Sequence, residues 1–176
     1  MSMNPRTDKI RLSIQDLAVM GMMLAALEAV KRALDFLPNV ELVTLLFIVF
    51  TLYYGRKMLL VALAFTLLET FFWGVHNWVI MYLYIWPLLI LIVHYTRKHA
   101  GHFFYCILSA VYGLLFGAMC SIPYLVAGGP GAAFAWWIAG IPYDIIHCIS
   151  NFLLCLILYR PLTAALDKVK KSEEES

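Results

Sequence analysis

Charge is what this sequence lacks most. Only 14% of its 176 residues are Asp, Glu, Lys or Arg, whereas 63% are hydrophobic. A soluble domain carries about a quarter charged residues, so this chain has too little polar surface for that class. Apolar runs long enough to cross a bilayer recur along the chain, and its mean hydropathy is +0.82. The composition therefore predicts a polytopic membrane protein.

The motifs of metal sites and enzymes are also missing. Four cysteines stand singly in apolar runs, with no CxxC and no Cys/His ligand spacing, so we predict neither a disulfide framework nor a metal site. There is no HExxH, GxSxG, P-loop or paired-aspartate motif. We therefore expect no catalytic residues, no cofactor and no ATP hydrolysis by this chain. The N-terminus is too polar for a signal peptide and no small-residue cleavage site follows, so we expect the first span to be retained.

Glycine and proline divide the apolar sequence into segments. Breaks are predicted at Pro38-Asn39, at Gly55-Arg56 and in the Gly-Gly-Pro-Gly run at 128–131. We predict an all-α fold, a compact bundle of six transmembrane helices within residues 13–160. An N-terminal cytoplasmic segment (1–12) precedes it, and a charged cytoplasmic tail (161–176) follows it. The end of that tail, KVKKSEEES, is expected to be disordered. The predicted helices cover residues 13–36, 41–54, 57–74, 77–96, 103–126 and 132–160.

The basic residues predict the orientation of the bundle. With six spans, both termini lie on one side of the membrane. That side receives all but two of the 13 Lys and Arg residues, so the positive-inside rule places both termini in the cytoplasm of a multi-pass cell-membrane protein. The basic residues on that side are Arg6, Lys9, Arg11, Arg56, Lys57, Arg97, Lys98, Arg160, Lys168, Lys170 and Lys171.

The two remaining cations, Lys31 and Arg32, fall near the outer end of the first helix. One interpretation is that they extend to the outer interface and pair along the helix with Glu28 and Asp35. The other is that one of them meets an anionic group of a ligand. Both interpretations remain open from the sequence.

Polar residues interrupt the last apolar run. Asp144, His147 and Asn151 are spaced i, i+3 and i+7, which places them on one face of a helix. Ionisable groups in a membrane face the bundle interior or a watery cavity, and Pro142 can kink the helix there. Asp144 and His147 could pair with each other, hold the helix to a neighbour or contact a ligand, whereas depth favours a structural role for Asn151. A ligand role is favoured nearer the outside, at Trp136, Trp137, Gly140 and Asp144.

A second set of polar and aromatic residues falls at the same predicted outer level. A single Trp or Tyr at an interface is usually a membrane anchor. Aromatic walls with a few convergent polar groups, however, are what a pocket for a flat, polar small molecule requires. The candidate binding residues of this set are Asn39, Glu41, Glu69, Trp73, His76, Asn77, Trp78, Tyr82, Trp86 and Tyr124.

Small residues at four-residue spacing form two candidate helix-packing ridges. One is Gly21, Ala25 and Ala29 in the first helix, and the other is Gly113 and Gly117 in the fifth. Such ridges let helices approach closely in lipid. One ridge could be internal and the other could face a partner protein, and the spacing alone does not say which.

The chain resembles the substrate-binding S components of energy-coupling factor (ECF) vitamin transporters. The resemblance covers about residues 10–165 and rests on six spans in under 200 residues, the AxxxA element Ala25–Ala29, and the closing segment WWIAGIPYDIIHCISNFLLCLILYRPL. In that segment an aromatic–Gly–hydrophobic–Pro stretch leads into Asp, His and Asn and ends in a basic–Pro pair. The AxxxA element alone is common, and the closing segment is the more specific feature.

This resemblance implies a non-enzymatic binding subunit that captures a vitamin or related micronutrient outside the cell. Its partners would be a transmembrane T component, docked on the ridge of Gly21, Ala25 and Ala29, and two cytosolic ATPase subunits. The family's pocket lies near the outer surface, which corresponds here to residues 39–41, 73–78 and 136–144 with Tyr82, Trp86 and Tyr124.

The ligand motifs of the thiamine, riboflavin and biotin members are not matched, so the ligand is open. A pyridoxine-like, pyrimidine, modified-purine or cobalamin-type molecule would suit an aromatic lining of mixed polarity. Two other functions remain open as well. The chain could be a stand-alone membrane carrier or channel, or, less in keeping with the sequence, a membrane enzyme or scaffold.

Overall fold

The chain is all-α over the part that the structure describes. The computed structural model describes residues 12–175, with the side chains of residues 12–171. Within that range, helices are joined by short connections and no strand is present, which confirms the all-α part of the prediction. The predicted N-terminal segment (1–12) lies outside the described residues except for Leu12.

Most helix boundaries agree with the predicted breaks. Helix α1 begins at a capping box in which the Ser13 hydroxyl accepts the Asp16 N–H while the Asp16 carboxylate accepts the Ser13 N–H. Gly55, with φ 56°, ends α2 and leads into a short 3-10 turn over Gly55–Lys57. The helices are α1 (Ile14–Leu34), α2 (Val43–Tyr54), α3 (Met58–Trp73), α4 (Asn77–Thr96), α5 (His102–Leu114), α6 (Phe116–Cys120) and α7 (Ile122–Glu175).

Two predicted helices differ from the observed ones. The fifth, expected to be continuous over 103–126, is interrupted at Leu115 and Ser121, which separate α5, α6 and the start of α7. The last helix bends at Gly129 (φ 77°, ψ −178°) and continues from Pro130 to Glu175. The prediction of a helix ending at 160 and a disordered tail was therefore wrong, because alanine, leucine and lysine beyond Pro161 favour continued helix.

Side-chain contacts define the directions of the first three helices. Lys57 at the start of α3 pairs with Asp16 at the start of α1, and Lys31 late in α1 pairs with Glu69 late in α3. These two helices therefore run parallel. Helix α2, which connects them along the chain, runs antiparallel to both. The bundle therefore has two distinct ends. We refer to them as the Trp78 end, where α1 and α3 finish, and the Arg97 end, where they begin.

The contacts of α2 with α7 connect the two ends. Glu41, just before α2, lies beside His147 at the Trp78 end. At the other end of α2, the Tyr53 hydroxyl donates to the Thr163 carbonyl at 2.9 Å and to the Asp167 carboxylate at 2.6 Å. Helix α7 therefore lies alongside the whole of α2.

The core is aromatic and lies between α2, α3 and α4. Phe47 stacks on Trp86 with centroids 5.0 Å apart, and Phe65 meets Phe47 edge to face at 5.9 Å. All three side chains are buried. Ring pairs in these geometries add stabilisation beyond the area they bury. The aromatic core extends directly beneath the Trp78 end.

Among the described residues, three stretches are long and apolar enough to cross a membrane: Val43–Trp73, Asn77–Thr96 and Ile122–Lys171. The first includes the turn at Gly55. Large apolar side chains point outward along these stretches, and Leu67, Ile149 and Ile157 are examples with more than half of their surface exposed. So much exposed apolar surface is unusual in a soluble monomer and suits contact with lipid.

Candidate functional site

Three adjoining cavities surround Trp78 at one end of the bundle. Their volumes are about 330, 220 and 310 Å³. We name them the Trp136, Glu41 and Glu69 cavities after a residue of each lining. Trp78 lines all three, Phe116 lines the first two, and Tyr82 lines the last two. The cavities are therefore compartments of one region, where α1, α3, α4, α6 and α7 converge.

The Trp136 cavity is mainly aromatic. Trp136 stacks on Tyr124 with centroids 4.2 Å apart and an angle of 18° between the ring planes. Tyr124 lies before the bend of α7 at Gly129 and Trp136 lies after it, so this contact packs the two parts of α7 against each other. Small residues on α6 and α7 leave the space between the rings. The lining comprises Asn39, Trp78, Phe116, Gly117, Cys120, Trp136, Ala139, Gly140, Tyr143 and Asp144.

Asp144 is the only carboxylate in that lining, and it is 5% exposed. Its Oδ1 accepts the Gly117 N–H at 2.9 Å, whereas its Oδ2 has no hydrogen-bond partner among the described residues. The carboxylate lies directly over Gly117: a Cβ at that position would be 2.8 Å from Oδ1 and 2.9 Å from Cγ. Because residue 117 has no side chain, the Asp144 carboxylate can lie against the backbone of α6.

An ion-pairing contact joins α7 to the start of α2 in the Glu41 cavity. His147 Nε2 lies 3.1 Å from Glu41 Oε1, and Glu41 Oε2 accepts the Thr44 N–H at 2.8 Å near the start of α2. Burial raises the pKa of the Glu41 carboxyl, but His147 and the Thr44 N–H outweigh it and hold that pKa below its usual value. His147 is 4% exposed, and its Nδ1 has no partner among the described residues.

Other polar groups of α7 also fasten it to its neighbours. The Ser150 hydroxyl donates to the Asn39 carbonyl at 2.9 Å, and the Asn151 amide donates to the Ser109 carbonyl at 3.3 Å. Asp144 and His147 thus bond to Gly117 and Glu41 rather than to each other. The sequence left three interpretations of Asp144 and His147 open. These contacts agree with the one in which both residues hold α7 to its neighbours.

Charged side chains of α1 and α3 form the wall of the Glu69 cavity. Glu69 pairs with Lys31 and accepts from Arg32 Nη2 at 3.1 Å. Arg32 also lies 3.6 Å from Glu28 and 3.7 Å from Asp35. Both cations are therefore paired with carboxylates. Their shared partner, Glu69, lies on α3, so these ion pairs connect α1 to α3.

Aromatic rings cover the same two cations. Lys31 Nζ lies 5.3 Å from the centre of the Tyr82 ring, and the Arg32 guanidinium carbon lies 5.0 Å from the centres of the Phe72 and Trp73 rings. Cations placed over ring faces at these distances are attracted by the ring quadrupole. This shielding holds the ion-pair network in place at the rim of the cavities.

Most of the predicted binding residues line one of the three cavities. Three of them do not: Asn77 begins α4 and is exposed, Tyr124 only supports Trp136, and Trp137 is 38% exposed beside Phe134. The predicted residues found in the linings are Asn39, Glu41, Glu69, Trp73, His76, Trp78, Tyr82, Trp86, Trp136, Gly140 and Asp144.

Several lining residues had little or no signal in the sequence. Phe116 stands in an unbroken apolar run, so nothing distinguished it from a core side chain. Gly117 was noticed only for its spacing from Gly113. Tyr143 and Ala139 lie one and five residues before Asp144 and four residues from each other, and this helical spacing beside the carboxylate is the signal that could have found them.

The two small-residue ridges have different surroundings. A Cβ on Gly113 would lie 2.9 Å from the His147 backbone, so the ridge of Gly113 and Gly117 is the internal contact between α5, α6 and α7. On α1, a Cβ on Gly21 would meet no described residue within 4 Å, and Ala25 and Ala29 are exposed. Among residues 12–171, the ridge on α1 is therefore free on the surface.

The opposite end of the bundle is basic. A cavity of about 550 Å³ there is lined by Arg97, Lys98 and Lys170 together with hydroxyl groups such as that of Tyr53. None of the ion pairs among the described side chains involves these three cations. The two ends thus differ in charge, with carboxylates gathered at the Trp78 end.

Comparisons with protein-family models, with curated proteins and with solved structures give no match. Within residues 12–171, no group of three or more His, Cys, Asp or Glu side chains is placed to hold a metal ion. What the three cavities offer a ligand is aromatic faces and a small number of buried hydrogen-bonding groups. This arrangement is suited to reversible binding of a small molecule.

Proposed function

We propose that this chain is a membrane-embedded binding subunit that captures a vitamin-like heteroaromatic molecule at the outer face of the cell membrane, as the S component of an ECF-type uptake transporter. The observation that carries the proposal is the group of three cavities around Trp78. Rings line them, and polar groups such as Asp144 and His147 reach them from a buried position. Aromatic faces would stack on a flat ring while these groups read its edge.

The position of the cavities supports an opening toward the outside. They lie at one end of the bundle, and the basic residues Arg97, Lys98 and Lys170 lie at the other. The positive-inside rule would place the Arg97 end in the cytoplasm and the Trp78 end outside. In this proposal all six predicted helical segments cross the membrane, the short α2 being surrounded by its neighbours.

The free ridge on α1 supports a partner. In the proposed complex, Gly21, Ala25 and Ala29 would contact a transmembrane T component, since their small side chains allow close approach of another helix. Two cytosolic ATPase subunits would supply the energy for uptake, because this sequence has no P-loop.

Two experiments test the proposal. The full chain, purified in detergent, is analysed by mass spectrometry for a co-purified small molecule. Trp78→Ala should lose that molecule, since Trp78 lines all three cavities, whereas Phe71→Ala, an exposed aromatic residue near the same end, should keep it.

Reconstitution then separates the binding subunit from its alternatives. The chain alone in liposomes should not move the bound compound across the membrane, and uptake should appear only with the T component and the ATPases. Transport by the chain alone would instead show a stand-alone carrier. The absence of any bound or binding small molecule would contradict the proposal as a whole.

A further inference from the structure

We infer that the molecule bound in the Trp136 cavity is a cation, with a positive charge on or beside a heteroaromatic ring. The inference rests on the proposed function, since it concerns the ligand of the same cavities. The juxtaposition that carries it is a buried, half-satisfied carboxylate, Asp144, within a wall of aromatic rings.

Asp144 needs a partner that the described chain does not provide. Only one of its oxygens is bonded, to the Gly117 N–H, and the other has no partner among the described residues although the side chain is 5% exposed. None of the ion pairs among the described side chains involves Asp144. A buried carboxylate without a counter-charge is strongly unfavourable, so a donor bearing positive charge is the ligand group that matches it.

The other charged groups described at this end form no ion pair with Asp144. Lys31 is held by Glu69, and His147 is held by Glu41. Arg32 is shared among three carboxylates. Among the described residues, carboxylates outnumber cationic groups at the Trp78 end even with both histidines there counted as positive: Glu28, Asp35, Glu41, Glu69 and Asp144 against Lys31, Arg32, His76 and His147.

The walls of the cavity favour a cation for a second reason. Trp78, Phe116, Trp136 and Tyr143 line the same space as Asp144. The faces of aromatic rings carry negative potential, which attracts cations and most strongly so away from water. An anionic ligand would meet both this potential and the Asp144 charge, and it would have to displace Glu69 to reach Lys31.

The test compares two probes of the same shape. 1-Methylnicotinamide is a cationic ring, and 3-methylbenzamide is its neutral carbon counterpart. Each is added to the full purified chain, and the thermal midpoint is measured by calorimetry at matched ionic strength. At concentrations up to about 10 mM, the cation should raise the midpoint of the wild-type protein by about 3 °C and the neutral probe by less than about 1 °C.

A pair of variants locates the effect. Asp144→Asn should remove the difference between the two probes. Asp16→Asn should preserve it, because Asp16 pairs with Lys57 at the opposite end of the bundle. The comparison of probes on the wild-type protein stands by itself if Asp144→Asn fails to fold.

The outcomes separate this inference from the proposed function. Equal shifts from both probes, no shift from either, or an unchanged preference in Asp144→Asn would overturn the inference. A neutral or anionic compound found co-purified with the protein would also overturn it, yet it would leave the proposed binding function standing. A protein that neither retains a compound nor responds to either probe would contradict both.

Discussion

Replacing Gly117 by alanine is the most direct perturbation of the candidate site. The new methyl group would lie 2.8 Å from Asp144 Oδ1 and 2.9 Å from its Cγ, where atoms in real structures essentially never approach. Gly117 is helical and does not have a positive φ, so alanine is compatible with the backbone itself. Any destabilisation must therefore come from the displaced carboxylate.

Opposing effects determine the size of the destabilisation caused by Gly117→Ala. Alanine in a helix is favoured over glycine by about 1 kcal/mol. Overpacking of a filled site costs about 1–3 kcal/mol, and a lost hydrogen bond to a charged group, here from the Gly117 N–H to Asp144, costs about 1.5–3 kcal/mol. The expected net loss is about 3 kcal/mol, which lowers the thermal midpoint of a chain of this length by roughly 6–12 °C.

Matched variants make the measurement specific. Gly21→Ala should leave the midpoint unchanged or raise it slightly, since no described residue lies within 4 Å of the position that its Cβ would occupy. In an Asp144→Ala background, Gly117→Ala should lose most of its effect, because the two positions are in contact and their changes do not add. If Gly117→Ala is as stable as the wild type, or equally destabilising in both backgrounds, the described packing of Asp144 is wrong.

Two further changes test the charged contacts by thermal unfolding. Glu69→Gln should lower the free energy of unfolding by roughly 1–3 kcal/mol, because Lys31 and Arg32 lose their shared carboxylate. The control, Asp16→Asn, changes a more exposed ion pair and should cost less than about 1 kcal/mol. Equal losses in the two variants would contradict the role of Glu69. The pKa of Glu41 is lower in the folded than in the unfolded chain, so its contribution is present at neutral pH and lost as the pH falls below about 4. Glu41→Gln should thus be less stable than the wild type at pH 7 and equal to it in acid, and a constant difference would contradict this account.

The fold could largely be predicted because glycine and proline mark its turns. Gly55 and the Gly-Gly-Pro-Gly run interrupt the helical pattern physically, and the structure turns or bends at both. The break at Leu115 lies between Gly113 and Gly117, whose four-residue spacing indicates a helix-packing ridge rather than a turn. It depends on a tertiary contact: the Gly117 N–H bonds to Asp144, 27 residues further along the chain. A local sequence pattern cannot report that contact.

The candidate site was predictable where chemistry distinguishes a residue from its surroundings. Asp144 and Glu69 are ionisable groups in apolar segments, and both line the cavities. Phe116 contributes only a ring, which resembles every other ring in this aromatic-rich chain. Trp137 shows the opposite error. It precedes Gly140 and Asp144 by three and seven residues, which predicts a shared helix face, yet its side chain is 38% exposed beside Phe134 and lines none of the three cavities.

The same polar contacts that fasten α7 also fix the walls of the cavities. Asp144 holds α6, His147 holds the start of α2, and Ser150 holds the connection before it. A site whose walls are already positioned loses little conformational freedom on binding, which favours high affinity and slow release. In such a site, releasing the ligand on the other side of the membrane requires these contacts to rearrange. The buried contacts of α7 therefore give a physical reason why the proposed binding subunit would depend on ATP-driven partners to deliver its ligand.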